Sequence, residues 1–370
     1  MQPPNIASEA LRQYNRCVEK AQPSIFPALL LFCSSVLLLF CSSALLLMAL
    51  KTLQGKILAS LLLGIGVIMV ISLLSDLQAV MRDLRAFTWL LLPLILGLII
   101  CNYLLRGLKW DFFLRRLQCG QGVSAFDSGL IFTAGMVMAV TPGKLGEVFK
   151  SYLLKRVNGT AISRSAPIVL AERLTDGLAM LLLMGLGLTL FPPARPVFVL
   201  LLGATIAGII IVQQQPLANA LLDFIARMPL GRALAPRLRT VYASTRELLD
   251  WRVLVVATGM SVVSWGCECI AFFVVLVGLG VEPSSLLLLQ AIFIFAASTL
   301  FGLVSFLPGG LGVSEVSSVG LLVALVNISA ATATSATVLI RFATLWFGVL
   351  LGALALAWFG RRYAEEPGNS

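Results

Sequence analysis

Two proline–glycine motifs, far apart in the chain, each end in a carboxylate that is followed at one fixed spacing by an arginine. The acids are Glu147 and Glu315, the arginines are Arg173 and Arg341, and 26 positions separate acid from arginine in both cases. Both arginines lie in apolar runs, where a charge at membrane depth costs at least about 2.5–3.5 kcal/mol. Charges kept at that cost need a partner or a function. The repeated pattern predicts a polar site inside a membrane-embedded helical protein.

The motifs themselves predict breaks in helices. Proline removes a backbone donor, and glycine adopts backbone angles that other residues avoid. Broken backbone survives in lipid where it is buried in protein or faces a watery cavity. A half-helix that starts after such a break directs N–H groups and a partial positive charge into the cavity, which suits an anion such as a lipid phosphate. The backbone residues of this predicted site are Pro142, Gly143, Gly146, Pro308, Gly309, Gly310 and Gly312.

The side chains expected to bind the substrate carry both signs of charge. Asp176 follows Arg173 by three residues, where the two can pair on one helix face. Arg341 has no acid nearby in sequence, so Glu315 or Glu147 is expected to reach it, and Glu268 is a further carboxylate that serves as its partner or as a proton carrier. A structural salt-bridge network explains these charges as well as a translocation site does. The predicted substrate-binding side chains are Lys144, Glu147, Arg173, Asp176, Glu315 and Arg341.

The amino-acid composition indicates that the helices carrying these residues lie in a membrane. Hydrophobic residues make up 59% of the 370 positions and charged residues 12%, about half the charged share of a soluble domain. The net charge of +10 comes from short loops, as the positive-inside rule expects, and does not indicate nucleic-acid binding. Histidine is absent and the seven cysteines form no CxxC pair. We therefore expect no metal site, no cofactor and no enzymatic activity.

The hydropathy pattern predicts an all-α polytopic membrane protein with an internal repeat. The spans would number about eight, with two further re-entrant half-helices at residues 126–141 and 313–326. The repeat halves are centred on 126–190 and 286–359, inside a membrane domain over 25–360 that is flanked by tails at 1–24 and 361–370. The predicted spans are 25–50, 56–75, 87–105, 166–190, 196–212, 253–279, 286–307 and 331–359.

Two basic stretches predict the cytoplasmic side. Residues 106–116, which contain Arg106 and Lys109, are expected to form a loop outside the hydrocarbon, and 213–252 an amphipathic helix on cytoplasmic head groups. The side of the N-terminus stays open, because Arg12 and Arg16 oppose the rest of the pattern. Whether the repeat halves are inverted or parallel also stays open, since it depends on the exact number of crossings.

These residues resemble a known family. The first motif with its downstream Glu172-Arg173, the second with Arg341, and Arg106-x-x-Lys109-Trp110 after an early span are similar to the lysylphosphatidylglycerol synthase transmembrane region, over roughly residues 55–360. This is the flippase-like membrane domain at the front of the multiple peptide resistance factor. The resemblance implies a multi-pass protein of the bacterial inner membrane that moves a lipid or a polyprenyl-linked head group. The chain stops at Ser370 without an acyltransferase-like domain, so aminoacyl transfer is expected to be absent.

The resulting functional hypothesis is a flippase or flippase-like transporter of a lipid with an anionic phosphate head group. Its partners would be membrane lipids, either anionic phospholipid or polyprenyl-phosphate-linked lipid, and a lipid-modifying enzyme is a further candidate partner. The alternative is a membrane scaffold or accessory subunit for such an enzyme or for a glycosyltransferase, docked through the basic stretch 213–252. The identity of the lipid, the coupling and the oligomeric state do not follow from the sequence.

Overall fold

The computed structural model describes residues 77–140, 147–216, 218–220, 223, 231–305 and 307–363, and every regular element in these ranges is helical. The predicted spans 25–50 and 56–75, the tail 1–24, and part of the stretch 213–252 lie outside the described residues. The helices, in chain order, are α1 Leu77–Ala86, α2 Leu92–Arg116, α3 Ala125–Gly135, α4 Phe149–Asn158, α5 Ile162–Ser165, α6 Pro167–Leu186, α7 Arg195–Gln213, α8 Gly231–Leu248, α9 Trp251–Gly278, α10 Ser285–Val304, α11 Val313–Val326, α12 Ala330–Arg341 and α13 Phe347–Tyr363.

Five helical segments among the described residues are long and apolar enough to cross a membrane. They are Trp89–Arg116, Pro192–Gln213, Trp251–Gly278, Ser285–Val304 and Ala330–Tyr363, the last continuing from α12 to α13 through a π-helical turn. Helix α6 has 20 residues but carries three charged side chains in its first half. At 1.5 Å per residue, 20 residues match the thickness of the hydrocarbon core. The described part of the chain is therefore all-helical, and the protein is a multi-pass membrane protein, as its composition predicted.

The prediction of a loop at 106–116 is wrong. Helix α2 continues through this stretch to Arg116, and Lys109 and Trp110 are completely buried in it. The helix continues because Lys109 finds an anionic partner, Asp176, on α6 at the same depth. A paired charge no longer has to leave the hydrocarbon, so a basic residue does not mark a loop here. The basic residues at the end of this span are Arg115 and Arg116.

The second half of the structure contains a broken helical hairpin. Helix α10 runs inward from Ser284, the chain turns at Pro308–Gly310, and α11 returns. The amide of Gln290, near the start of α10, donates to the carbonyl of Leu325, near the end of α11, at 2.7 Å. The two outer ends of this hairpin therefore lie together, at the end of the bundle where Gly278 closes α9 against Thr88.

The first half contains a similar hairpin that enters from the other end. Helix α3 extends as a 3-10 helix through Val140, and α4 returns to Asn158. The outer ends meet where Asn158 donates to the carbonyl of Cys119, just after α2. Arg362, at the end of α13, pairs with Asp127 at the start of α3. We call this the basic end, and the end that holds Ser285 the opposite end.

The helix that follows each hairpin also runs in opposite directions in the two halves. Helix α6 leaves the basic end, whereas α12 leaves the opposite end and reaches the basic end through α13. Described residues on both sides of the gap at 141–146, Ala139 and Glu147, line one cavity together with Gly309 and Gly310 at the turn of the second hairpin. The repeat halves are therefore inverted along the bundle axis, which answers the question that the sequence left open.

The basic end also carries the described part of the amphipathic connector. Helix α8 buries Ser244, Thr245 and Leu248, while Arg239 and Arg246 are exposed. The side-chain amide of Gln213 at the end of α7 donates to the carbonyl of Leu249 at 2.9 Å. This contact ties the connector to the membrane helices on one side and leaves a basic face on the other.

Candidate functional site

The second motif is held together by Glu315. One carboxylate oxygen accepts from the backbone N–H of Gly312 at 2.6 Å, and the other accepts from Nε of Arg341 at 2.5 Å. Arg341 also donates to the carbonyl of Gly309 at 2.9 Å. The start of α11 is thus capped by its own side chain and tied to the next long helix. The expectation of a free N–H for a ligand is not met at Gly312, because the carboxylate of Glu315 occupies it.

Glycine is required at the turn of this hairpin. Gly310 has φ +68°, in the left-handed region that side chains rarely adopt. A Cβ at this position would lie 2.8 Å from Oγ of Ser314 and 3.0 Å from Cα of Gly302 on α10. Ser314 in turn donates to the carbonyl of Gly310 at 2.7 Å. The close approach of α10 to the turn therefore depends on the absence of a side chain.

The first motif repeats the pairing of acid and arginine. A terminal nitrogen of Arg173 lies 3.1 Å from Glu147 and 3.3 Å from Asp176. The structure thus joins Glu147 to Arg173 and Glu315 to Arg341, the two pairs that have the same spacing in sequence. The remaining predicted residues of this motif, which include Lys144, lie outside the described residues: Pro142, Gly143, Lys144 and Gly146.

Sequence reasoning missed two buried lysines that extend the first pair into a network. Lys109 on α2 donates to Asp176 at 2.5 Å and to Oγ of Ser261 at 2.7 Å. Lys150 on α4 lies 2.5 Å from Glu172 and 4.0 Å from Glu147. Three cations and three carboxylates balance in this network. The available signal was the excess of acids around Arg173, since Glu172 and Asp176 within one turn require further cations at that depth.

A cavity lies between the turn of the second hairpin and the described helices of the first hairpin. It offers about 120 Å³ to the centres of water molecules, room for several of them. Glu147 and Lys150 line it from the first half, Gly309 and Ser314 from the second motif, and Arg341 from α12. The broken backbone at Gly309 and Gly310 thus faces a polar space, the arrangement that lipid tolerates.

The predicted binding residues divide into two groups by their position. Glu147 and Arg341 line the cavity directly. Arg173, Asp176 and Glu315 are buried partners of these residues or of each other and stand behind the wall. Glu268, for which the sequence left two roles, also lines the cavity, while the carboxylate that pairs with Arg341 is that of Glu315.

The lining of the cavity also contains residues that the sequence analysis did not assign to the site. Arg106 lines the cavity with its guanidinium 5.5 Å from the ring centre of Trp265. Tyr103, one turn before Arg106, donates to the carbonyl of Thr344. Arg106 was interpreted as a loop residue because basic residues mark loop ends, so its position was missed along with the continuation of α2.

The described residues contain no cluster of three or more acids or cysteines that could hold a metal ion. Carboxylate, ammonium and guanidinium groups form the charged part of the cavity surface. The side chains of Ser298, Ser318 and Thr337 add hydroxyl groups. Such a surface can bind and release a charged group by hydrogen bonds.

Comparison with known proteins gives a consistent result. Residues 57–352 match the family model of the lysylphosphatidylglycerol synthase TM region. A UPF0104 membrane protein of Methanothermobacter thermautotrophicus is 26% identical over 309 residues, which cover 78% of this chain and 87% of the relative. One from Pyrococcus horikoshii is 24% identical over 328 residues, covering 80% and 95%. One from Methanocaldococcus jannaschii is 28% identical over 246 residues, covering 63% and 98%.

The family match extends over most of the chain. The protein therefore belongs to the lysylphosphatidylglycerol synthase TM region family, as the resemblance of its motifs predicted. Its relatives are described as membrane proteins, in agreement with the apolar helices.

Proposed function

We propose that the protein is a flippase-like transporter that moves a lipid with an anionic, phosphate-bearing head group across the bacterial inner membrane. The observation that carries this proposal is the polar cavity that two oppositely directed hairpins line together, inside a bundle of apolar helices. A site of this kind, with broken helices from two inverted halves meeting at mid-depth, is how many transporters bind a polar substrate. The protein would act by binding and conformational change, without covalent chemistry.

The proposed membrane arrangement follows from the same elements. The two hairpins would be re-entrant, one from each face, and would complete a fold of about eight spans. Basic residues concentrate at one end, which we assign to the cytoplasm on the positive-inside rule. They are Arg115, Arg116, Lys155, Arg156, Arg164, Arg246, Arg252, Arg361 and Arg362, against Arg82, Arg85 and Arg195 at the opposite end.

The charges of the cavity support an anionic substrate. Arg106, Lys150 and Arg341 line the described wall together with two acids, Glu147 and Glu268, which leaves a formal charge of +1. Glu147, Lys150 and Arg341 each pair with a residue behind the wall, which is Arg173, Glu172 and Glu315 respectively. Arg106 contacts no carboxylate within ion-pair distance among the described residues, so it is the lining cation whose charge is most available to a ligand. A guanidinium binds phosphate through paired N–H donors, whereas the lipid tails can stay among the apolar helices.

A reconstitution assay tests the proposal. Proteoliposomes would contain a fluorescent phosphatidylglycerol, and the fraction of label that a membrane-impermeant quencher reaches would be followed in time. Wild-type protein should accelerate exchange between leaflets, and Arg341→Gln should slow it at least tenfold. Arg115→Gln is a matched control, because this side chain is 78% exposed and pairs with Asp111 outside the cavity. Exchange at the protein-free rate with the wild type would refute the transport function.

An accessory-subunit role is the second candidate, and the exposed basic face of α8 favours it. Arg239 and Arg246 border a surface hollow together with Arg116 and Trp251. Under this hypothesis the buried ion pairs are structural, and the hollow docks a lipid-modifying enzyme. Reversing the charge of Arg246 should then remove a partner that co-purifies with the wild type, while lipid exchange in proteoliposomes stays at the background rate for both.

A further inference from the structure

Arg106 is a membrane-depth cation whose contacts differ from those of the other buried cations. Lys109, Lys150, Arg173 and Arg341 each form an ion pair with a carboxylate. Within the described part of the chain, Arg106 has no such ion pair, and its guanidinium lies against the ring face of Trp265. A guanidinium in an apolar bundle that contacts no carboxylate can bind an anionic ligand that enters the cavity.

Trp265 supplies a second observation at the same wall. Its side chain is 6% exposed and lines the cavity, yet its indole N–H has no acceptor among the described residues. A buried donor left without a partner costs about 1–3 kcal/mol, so it calls for an explanation. An anion that reaches Arg106 would also be close to this donor, because the guanidinium rests on the same ring.

The position of Arg106 relative to Arg341 follows from the helices that carry them. Tyr103 on α2 donates to the carbonyl of Thr344, and both helices run toward the basic end. Arg106 lies three residues after Tyr103, whereas Arg341 lies three residues before Thr344. At 1.5 Å per residue, the two backbones are displaced by up to about 9 Å along the bundle axis, with Arg106 nearer the basic end.

We propose that Arg106 and Arg341 are two successive binding stations for one phosphate oxyanion, displaced along the bundle axis of the same cavity. The Arg106 station includes the indole N–H of Trp265 as a further donor. This inference rests on the proposed function in assigning the stations to a transport path, but the binding itself is independent of transport. The oxyanion is carried by a lipid head group or by free phosphate, and the two sources have the same chemistry at the guanidinium groups.

Titration of the full-length protein in neutral detergent, followed by native mass spectrometry, tests the stations. Phosphatidylglycerol is the first probe, inorganic phosphate the second, and diacylglycerol the comparison without phosphate. Arg106→Gln should weaken phosphatidylglycerol binding about tenfold, as expected for loss of a hydrogen bond to a charged group. The Arg106→Gln, Arg341→Gln double variant should reduce it to the level of diacylglycerol. If inorganic phosphate binds and the two arginine substitutions weaken its binding in the same way, the stations are supported and their ligand is a soluble anion.

Two matched controls keep the test decisive. Arg115→Gln removes an exposed arginine of the same helix. Trp265→Phe keeps the ring under Arg106 but removes the N–H, and Trp110→Phe makes the same change at a buried indole that does not line the cavity. Trp265→Phe should weaken binding several-fold, and Trp110→Phe should leave it unchanged. If Arg106→Gln, folded by its melting profile, binds like Arg115→Gln, the second station does not exist.

The same variants separate this inference from the proposed function. Wild-type protein that binds phosphatidylglycerol through both arginines but exchanges no lipid in vesicles supports the stations and refutes the transporter. If the Arg106→Gln variant exchanges lipid at the wild-type rate and binds phosphatidylglycerol with the wild-type affinity, the two stations are refuted and the transport function stands.

Discussion

The Nε atom of Arg341 lies 2.5 Å from Oε1 of Glu315, and the same guanidinium reaches the carbonyl of Gly309 on the other side of the turn. One side chain therefore ties α12 to the motif both before and after the point where the helix is broken. In the first half, Arg173 contacts Glu147 across the same number of residues. In each half, an arginine of a following helix thus contacts the glutamate of the hairpin before it.

Removing Arg341 should destabilise the fold more than removing the whole pair. Arg341→Ala leaves the carboxylate of Glu315 buried, at 4% side-chain exposure, without its counterion. Breaking a buried pair from one side costs about 3–5 kcal/mol, whereas removing both partners costs less. We expect a lower melting temperature in detergent for Arg341→Ala than for the Arg341→Ala, Glu315→Ala double variant. Equal melting temperatures for the two would show that Glu315 does not depend on the arginine.

Lys109 should be as important for stability as a motif residue. Lys109→Met removes one of the two cations that contact the buried carboxylate of Asp176 among the described residues, and should lower stability by about 3–5 kcal/mol. Ser261→Ala, which removes one hydrogen bond to the same carboxylate, should cost about 1 kcal/mol. Thermal unfolding in detergent measures both. Arg115→Ala on the same helix should stay within about 0.5 kcal/mol of the wild type, since its ion pair is at the surface.

The glycine at the second turn should tolerate no side chain. Gly310→Ala forces a Cβ against Ser314 and Gly302 at a positive φ, so we expect a loss of at least about 1–2 kcal/mol and impaired lipid exchange. Gly266→Ala on α9 is the matched control, because no atom lies within 4 Å of the added Cβ. A Gly310→Ala protein as stable and as active as Gly266→Ala would contradict the geometry of the turn.

The inverted hairpins predict opposite labelling of two positions, one after each hairpin. Ala161 and Ala330 are exposed alanines that follow the first and the second hairpin. In a cysteine-free background, Ala161→Cys should react with a membrane-impermeant maleimide from the cytoplasmic side and Ala330→Cys from the outside. Sealed vesicles of both orientations provide the measurement, with detergent-opened vesicles as the control for reactivity. Labelling of both positions from one side would contradict the inversion.

Most helix bounds could be predicted because the signals are local. The apolar stretch 313–326 became α11 with the same bounds, Val313–Val326, since the glycines before it and Asn327 after it stop the helix on both sides. The bounds of α9 and α10 differ from the predicted spans by one to three residues. The length of a segment, its apolar character and the residues that break it are all visible in the local sequence. Predicting these helix bounds therefore requires no knowledge of tertiary contacts.

The prediction of a loop at 106–116 failed because residues distant in sequence stabilise basic side chains that would otherwise mark a loop. Arg106 and Lys109 read as loop residues because a free charge leaves the hydrocarbon, yet α2 carries both through the bundle. Lys109 is tolerated there by Asp176, 67 positions away. Arg106 is tolerated against Trp265 on α9. Neither partner can be identified from the residues around the basic pair.

The sequence alone determined the membrane class, the family, the break at Pro308–Gly310 and the equal spacing of acid and arginine in both halves. These properties depend on residue type and on distance along one segment. Only the tertiary structure decided that the halves are inverted, that Lys109 and Lys150 complete the first ion network, and that Arg106 faces the cavity. The physical reason is that the cost of a charge in an apolar bundle depends on which partner reaches it, and packing brings those partners from other helices.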